Sequence, residues 1–296
     1  MTLRDTLIAA IVPIFLGFGF VIAKPAMEYL PPFLLMGLRF TFVALLLVWW
    51  FPIPRGFLKK IFFASLIANT TQYSITYTGL SFIDASAAVL LVQTEVPFGV
   101  VFAYFMLKEK PTIRSLVGIA IAFVGVYILT GSPNLDGKFI GVSLVILGSG
   151  IWALGQVLVK PLSKKINPLA LVAWLGLFSG PILITLSAIF DGNPINYFKT
   201  TPFEVWLIAI YLGFIMQPIT YGCFYYVLKN NPLYKVLPIV TMGIPPTGLL
   251  AAIFLLGEEP TKELFIGGTI IIVGVILIVF NKPKKPNPKA QTVSSQ

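Results

Sequence analysis

Long apolar runs recur along this chain, and they limit what it can fold into. A helix that crosses a membrane needs about 20 largely apolar residues. The sequence offers ten such runs, predicted at residues 6–23, 31–51, 61–80, 84–107, 112–130, 139–159, 168–190, 203–227, 234–256 and 263–281. Most of the breaks between them contain proline or charged residues, which commonly end helices. The pattern therefore predicts an all-α integral membrane protein with ten transmembrane helices.

The composition excludes a water-soluble fold. Only 11% of the residues are charged and 57% are apolar, whereas a soluble domain carries roughly 25% charged residues. The net charge of +10 could suggest a nucleic-acid partner, but nucleic-acid-binding proteins cluster Lys and Arg on one face of a soluble fold. Here the basic residues lie between the apolar runs. We therefore expect a lipid bilayer as the partner and no nucleic acid.

Several kinds of chemistry are missing from the sequence. Histidine is absent and Cys223 is the only cysteine, which excludes an internal disulfide, a Cys/His metal site and histidine-based catalysis. No Gly-rich loop followed by Lys and Ser or Thr is present to cradle a nucleotide phosphate. We expect no cofactor, no metal and no enzymatic activity.

The distribution of Lys and Arg predicts the orientation. With the N-terminus inside, sixteen of the 21 basic residues lie in inside segments, four lie in outside segments, and Arg39 lies within the second span. Cytoplasmic loops carry such an excess. We therefore expect a bacterial cytoplasmic (inner) membrane protein with both termini in the cytoplasm. The basic tail, residues 282–296, is predicted to be disordered and cytosolic.

The chain also repeats itself. Seven residues of the first half recur 149 positions later: Pro97, Gly99, Glu109, Pro111, Thr112, Gly118 and Gly125 match Pro246, Gly248, Glu258, Pro260, Thr261, Gly267 and Gly274. Lys24, Pro25 and Pro32 recur 136 positions later as Lys160, Pro161 and Pro168. Each half then holds five spans, an odd number, so the second half is inverted relative to the first. We predict two inverted five-helix repeats, residues 1–132 and 133–281.

Inverted repeats are a recurring plan of secondary transporters, whose binding site lies near the midplane where the halves meet. The repeat therefore predicts alternating-access transport of a small molecule through a central cavity. Duplication alone does not require transport, and a membrane-embedded enzyme or a non-transporting scaffold is the alternative. The Gly-rich fifth and tenth spans are predicted to be scaffold or a dimer face, so a monomer and a homodimer both remain open.

Two charged residues fall well inside the predicted spans, away from their ends: Arg39 and Glu95. A charge at the bilayer centre costs about 2.5–3.5 kcal/mol, so such residues normally face a partner or a hydrated cavity. At 1.5 Å per residue they lie about 12 Å and 16 Å below the same face. Their repeat counterparts, Leu175 and Ile244, are apolar. One interpretation is a structural salt bridge between them. The other is that Arg39 holds an anionic group and Glu95 binds substrate or protons.

Further polar and aromatic residues are predicted to point inward, because amides are costly in lipid unless they are hydrogen-bonded. The candidates for the cavity wall are Asn69, Gln72, Tyr73, Tyr77, Gln93, Trp152, Gln156, Trp174, Gln217 and Tyr221. For the aromatic members, plain packing is the competing interpretation.

Four segments resemble the EamA-type branch of the drug/metabolite transporter superfamily: LPPFLLMGLRF at residues 30–40, LKEKPT at 107–112, WALG at 152–155 and LGEEPT at 256–261. The chain is most similar in pattern to O-acetylserine/cysteine exporters and aromatic amino-acid exporters. The resemblance implies an inverted-repeat bundle around a central cavity and export of amino acids or their derivatives. In it, Arg39 matches the arginine of the helix-two motif, and Glu109 and Glu258 match the glutamates that close helices four and nine.

Glu95 departs from the cysteine-exporter pattern, which has an uncharged amide there, and a negative cavity favours a cationic or zwitterionic solute. We therefore expect an exporter or exchanger of amino acids or their derivatives. The alternative is import or exchange of a cationic or nucleotide-like metabolite, such as a sulfonium or quaternary amine.

Overall fold

The computed structural model describes residues 1–107, 111–231 and 233–280. A long helix occupies each of the ten predicted positions: α1 Leu3–Ala26, α2 Pro32–Leu47, α3 58–82, α4 85–107, α5 Ile113–Thr130, α6 Phe139–Ser163, α7 Pro168–Phe190, α8 Phe203–Asn230, α9 Leu233–Leu256 and α10 Lys262–Val279. A short helix, Pro194–Thr200, lies in the predicted loop between α7 and α8. Since these ranges contain no strand, the predicted all-α fold is confirmed.

By length and composition, nine of the helices within the described ranges can cross a membrane. The exception among the ten is α3, whose middle is made polar by residues 69–72, Asn-Thr-Thr-Gln. The membrane fold is therefore confirmed. Of the ten predicted crossing helices, nine meet this criterion of length and composition. The end of the tenth predicted span and the basic tail, residues 281–296, lie outside the described residues.

Helix starts follow from local capping. The Thr112 hydroxyl accepts a hydrogen bond from the Ser115 backbone N–H at 3.2 Å, and its repeat counterpart Thr261 accepts one from Leu264 at 3.3 Å. A Thr at this position satisfies one of the free N–H groups of the first turn. The same cap therefore begins α5 and α10, the last helix of each half.

Two predicted boundaries were wrong at Lys-Pro pairs. We expected α1 and α6 to end before Lys24 and Lys160, but both helices continue through Pro25 and Pro161. A proline removes one N–H and disturbs the preceding turn. Near the end of a helix little regular structure follows, so the helix tolerates it.

Three helices change their winding near the middle. In α3 a π turn, Leu66–Thr71, precedes Gln72, and in α8 a π turn, Tyr211–Met216, precedes Gln217. In α4 a 3₁₀ turn, Val92–Thr94, precedes Glu95. Pro97 and Pro218 each lack the N–H that would bond to the carbonyl four residues earlier, which accounts for the irregular turns of α4 and α8. Such turns re-aim the side chains that follow and are frequent at functional sites.

The two halves contact each other through antiparallel helix pairs. A Cβ on Gly118 of α5 would lie 2.7 Å from the carbonyl oxygen of Gly274 of α10, and one on Gly125 would lie 2.7 Å from that of Gly267. Early residues of one helix therefore meet late residues of the other. Replacing each glycine of the first contact by its repeat counterpart, 149 positions away, gives the second contact. An inverted repeat requires this symmetry. The helices α2 and α7 also pack antiparallel, as do α3 and α6, whereas α1 and α9 run parallel, with Gly243 beside Pro13 and Gly17 beside Thr247.

Candidate functional site

A small cavity lies among helices from both halves. Its volume is about 40 Å³, and it is lined by Leu16, Phe20, Gln72, Tyr73, Tyr77, Val92, Glu95, Ser149, Trp152, Tyr221 and Ile244. Six of these eleven are residues that the sequence singled out: Gln72, Tyr73, Tyr77, Glu95, Trp152 and Tyr221. The structure therefore places half of the candidate residues around one cavity. Their role in binding remains a prediction.

The position of this cavity follows the internal repeat. Three pairs of repeat counterparts line it: Gln72 with Tyr221, Glu95 with Ile244, and Leu16 with Trp152. The cavity therefore lies where the two halves meet. The members of each pair occupy equivalent positions in the two halves, so the backbone around the cavity is nearly symmetric. Because each pair combines two different residue types, the chemistry of the wall is not symmetric.

Arg39 is fully buried beside the cavity rather than on its wall. Its Nε donates to Gln217 Oε1 at 2.7 Å, and its Nη1 donates to the Tyr77 hydroxyl at 3.1 Å. The guanidinium carbon lies 5.1 Å from the centre of the Tyr73 ring. Within the described part of the chain, Nη2 has no hydrogen-bond partner. Gln217, a predicted wall residue, thus serves to hold Arg39.

Glu95 faces the cavity with an unsatisfied carboxylate. Its side chain is 8% exposed, and Oε1 has no hydrogen-bond partner among the described residues. The predicted salt bridge with Arg39 does not form. In residues 1–107, 111–231 and 233–280, the ion pair that does form joins Lys138 to Asp84 at 3.6 Å. The similar depths of Arg39 and Glu95 suggested pairing, but the structure directs the two side chains to different partners.

Stacked aromatic rings form one side of the cavity. Phe20 stacks on Tyr77 with ring centres 5.4 Å apart, and Tyr77 stacks on Tyr73 at 5.5 Å, each pair inclined by 12°. The Tyr73 and Tyr221 hydroxyls are hydrogen-bonded to each other across the two halves. A positive ligand is attracted to the faces of such rings. The wall therefore combines a carboxylate with an electron-rich surface.

The remaining candidates lie off this wall. Asn69 is buried in the π turn of α3, and Gln93 and Gln156 each bury a polar atom for which the described residues offer no partner. Trp174 lies in a separate apolar groove of about 500 Å³ between α2 and α7, with Trp49 and Pro181 on its walls. The expectation that Trp174 lines the central cavity is thus not met, because α7 turns this side chain towards the end of α2.

Five wall residues were missed by the sequence analysis: Leu16, Phe20, Val92, Ser149 and Ile244. The repeat register could have identified two of them, since Leu16 and Ile244 are the counterparts of Trp152 and Glu95. Phe20, Val92 and Ser149 carry no signal that separates them from ordinary residues of a membrane helix. Glu109 lies outside the described residues.

Comparison with protein families gives one match that covers most of the chain. The model of the EamA-like transporter family matches residues 5–131 and 139–280. The match comes in two segments, one on each side of the short stretch between α5 and α6.

Individual relatives match over almost the full length. The chain is 28% identical over 289 residues to a protein of Escherichia coli (strain K12) named "Probable amino-acid metabolite efflux pump", covering 95% of this chain and 96% of that one. A protein of the same name from Salmonella typhimurium is 28% identical over 291 residues, with the same two coverages. An uncharacterized transporter of Archaeoglobus fulgidus is 26% identical over 290 residues, or 94% of this chain and 98% of that one.

The fold also resembles a solved crystal structure. The TM-score is 0.66 with 16% sequence identity, over 94% of this chain and 98% of the other. At this identity the likeness concerns the fold alone.

Proposed function

The chain belongs to the EamA-like transporter family, and on that premise we propose that it is a secondary-active exporter or exchanger of small metabolites, with amino acids or their derivatives foremost. Two relatives named as amino-acid metabolite efflux pumps, each 28% identical, support the substrate class. The antiparallel contacts between residues 1–132 and 133–281 support alternating access. Family membership favours a transporter over a membrane enzyme or a scaffold.

The observation that carries the substrate proposal is the carboxylate of Glu95. A buried charge is expensive unless it is paired and hydrogen-bonded, and Oε1 lacks a partner among the residues that the structure describes. A solute with a positive group would supply that partner when it enters the cavity. The ammonium group of an amino acid has this charge and can donate three hydrogen bonds.

Arg39 supports recognition of the opposite end of an amino acid. Its Nη2 is the one guanidinium nitrogen without a partner in the described ranges, and Tyr73 and Tyr77 separate it from the cavity. A shift of these rings would bring Nη2 to a substrate carboxylate. Glu95 and Arg39 would then hold the two charged groups of a zwitterion.

The size of the cavity supports a closed state between two open ones. At about 40 Å³ it is hardly larger than the roughly 30 Å³ that one water occupies in the liquid. An amino acid needs several times that volume. The wall must therefore widen before a solute binds, and movement of one half against the other would widen it.

A cationic metabolite, such as a sulfonium or quaternary amine, is the second candidate. It is favoured by the combination of Glu95 with the stacked rings of Phe20, Tyr73 and Tyr77, because such rings recognise cations that cannot donate hydrogen bonds. Competition in a counterflow assay separates the candidates. Zwitterionic amino acids should compete if the first proposal is correct, whereas only sulfonium or quaternary amine solutes should compete if the second is.

Counterflow in liposomes tests the role of Glu95. We expect Glu95→Gln to lower amino-acid transport by about tenfold to 100-fold, the equivalent of one charge-assisted hydrogen bond. Glu259→Gln is the matched control, because it makes the same chemical change on an exposed residue after α9, and it should transport normally. If Glu95→Gln transports as fast as the control at every pH, Glu95 is not part of the binding site.

We also propose the location and orientation that the basic residues predict, a bacterial cytoplasmic membrane with both termini in the cytoplasm. We propose in addition that protons are a partner in transport and that Glu95 is the group that binds them. If Glu95 exchanges a proton during transport, the pH dependence of wild-type transport should disappear in Glu95→Gln.

A further inference from the structure

The end of α3 is capped by a residue from another helix. The last carbonyls of a helix have no partners within it. At the end of α3, the Lys24 ammonium at the end of α1 donates to Leu80 O at 2.9 Å, to Ser81 O at 3.5 Å and to Ile83 O. No glycine completes this helix end. A positive charge also suits the negative end of the helix dipole.

The start of α4, which is separated from the end of α3 by two residues, is capped by another distant residue. Asp84 occupies the position before the helix, but its side chain makes no capping bond and pairs with Lys138 instead. The free N–H groups of the first turn go to Glu258, which follows α9. Its Oε1 accepts from Ala85 N at 2.8 Å and its Oε2 from Ser86 N at 2.9 Å.

These contacts fix the turn between α3 and α4 from both halves of the molecule. Lys24 belongs to the first half and Glu258 to the second. The turn joins the two helices that carry Gln72, Tyr77 and Glu95 on the cavity wall. Movement of α3 and α4 away from α1 and α9 at this end of the bundle, the Lys24 face, must therefore break charge-assisted hydrogen bonds.

At the opposite end of the bundle, the Lys160 face, the described residues do not form the contact that Lys24 makes. Lys160 is the repeat counterpart of Lys24, and Lys229 and Asn230 at the end of α8 are the counterparts of Leu80 and Ser81. In the described residues, no hydrogen bond joins the Lys160 side chain to α8. The end of α8 is capped by its own side chains, with Asn230 Nδ2 donating to Tyr226 O at 3.0 Å and Asn231 Nδ2 to Val227 O at 3.2 Å. Asn231 Nδ2 also donates to Asp5 Oδ2 of α1 at 3.1 Å.

From this difference we infer that Lys24 and Glu258 form a latch that keeps the Lys24 face closed and releases when that face opens. Lys160 is the corresponding residue on the other face and bonds to the end of α8 when the Lys160 face closes. The inference rests on the proposed transport function but not on any particular substrate. Lys24 and Glu258 act on the position of α3 and α4, not on the solute.

Thiol accessibility tests the latch without any solute. In a Cys223→Ser background, Ser149→Cys places a thiol on the cavity wall with little change in side-chain volume. A membrane-impermeant maleimide is then applied from the Lys24 face. We expect slow labelling in this parent protein. Lys24→Met and Glu258→Gln should each raise the rate about tenfold, which corresponds to about 1.4 kcal/mol.

Three further variants control the experiment. Ser132→Ala removes another polar contact between the halves at the same face, the 2.7 Å bond to Thr261, but it joins the scaffold helices α5 and α10 and should leave the rate unchanged. Lys24→Arg keeps a cation and should label as slowly as the parent. Lys160→Met, added to Glu258→Gln, should reverse the increase, because it removes the latch of the opposite state.

The outcomes separate clearly. If Lys24→Met fails to fold, the labelling rate of Glu258→Gln alone decides whether the latch exists. This variant keeps the size of the side chain and one hydrogen-bond acceptor, so we expect it to fold. Unchanged labelling in a folded Glu258→Gln protein would overturn the latch. Because no transport is measured, that result would leave the proposed substrate class untouched, and failure of amino-acid counterflow would leave the latch untouched.

Discussion

Arg39 shows how a full charge is accommodated inside a membrane fold. Its side chain has 0% exposure, and it is held by Gln217 from the other half and by Tyr77 from α3. Hydrogen bonds from Nε and Nη1 replace part of what water would supply, while Nη2 stays without a partner in the described residues. The residue therefore joins α2, α3 and α8 around one guanidinium group.

A double-mutant cycle between Arg39 and Gln217 measures this connection. Arg39→Met and Gln217→Leu should each lower the thermal stability of the purified protein, and their combination should cost less than the sum. We expect a coupling of about 0.6 kcal/mol and at most about 1.7 kcal/mol, the range found for polar contacts between membrane helices. Asn231→Ala lies at the Lys160 face and should add independently to Arg39→Met. Full additivity between Arg39 and Gln217 would contradict the bond.

At this scale the sequence identified two charged residues that the structure buries, Arg39 and Glu95, but not the partners of their side chains. Arg39 and Glu95 stood out because a charge is rare in an apolar run. Their separation along the membrane normal followed from helix rise, but depth does not determine the direction in which a side chain points. Rotation of α2 and α4 depends on packing and on the 3₁₀ turn before Glu95, and neither is visible in the pattern of apolar residues.

At the scale of helices, α5 and α10 depend on small residues at their crossing. Apolar side chains gain little from leaving lipid for another apolar surface, so close backbone approach provides much of the attraction between membrane helices. A Cβ at Gly125 would lie 2.6 Å from Ile271 N and 2.7 Å from Gly267 O. Backbone atoms cannot move aside as the end of a flexible side chain can.

Gly125→Ala should therefore destabilise the protein by about 1–3 kcal/mol, the usual cost of overpacking. Gly99→Ala in α4 is the matched control, because nothing lies within 4 Å of the added Cβ, and it should be neutral or slightly stabilising. Melting of both variants in detergent gives the comparison. Equal melting temperatures for the two proteins would show that the helices do not cross at Gly125.

The positions of the helices were predictable and their irregular turns were not. Length and hydropathy place a helix at all ten sites, and they do so even for α3, which is too polar to meet a criterion for spanning. The π turns of α3 and α8 depend on one extra residue within a continuous helix. Pro218 marks the second, but the first contains no proline, so its sequence is compatible with a regular helix.

At the scale of the molecule, the inverted repeat requires the two Lys-Pro pairs to lie on opposite sides of the membrane. Glu28→Cys, on an exposed residue just after Lys24, and Lys164→Cys, just after Lys160, each in a Cys223→Ser background, test this with an impermeant thiol reagent applied to intact cells. We expect labelling of the cysteine at 28 and none at 164 until the membrane is permeabilised. Labelling of both from outside would exclude the inverted arrangement, and labelling of 164 alone would reverse the orientation.

The repeat itself was visible in the sequence because glycine and proline have few substitutes where backbones touch or helices bend. The cavity was only partly visible, since its walls combine residues that break the symmetry with apolar residues that do not differ from lipid-facing ones. Ile244 became recognisable once its counterpart Glu95 was known to face the same space.

Glu95 and Ile244 face one cavity from equivalent places in the two halves, and this pairing has a directional consequence. If the proposed site binds a solute, that molecule would meet a carboxylate on one side and a hydrocarbon on the other. Its charged end would then stay with the first half while the second half moves past its apolar end. The solute would thus keep its orientation relative to the first half while it crosses the membrane. Substitutions around Ile244 would adjust which apolar groups are carried while the recognition of charge is conserved.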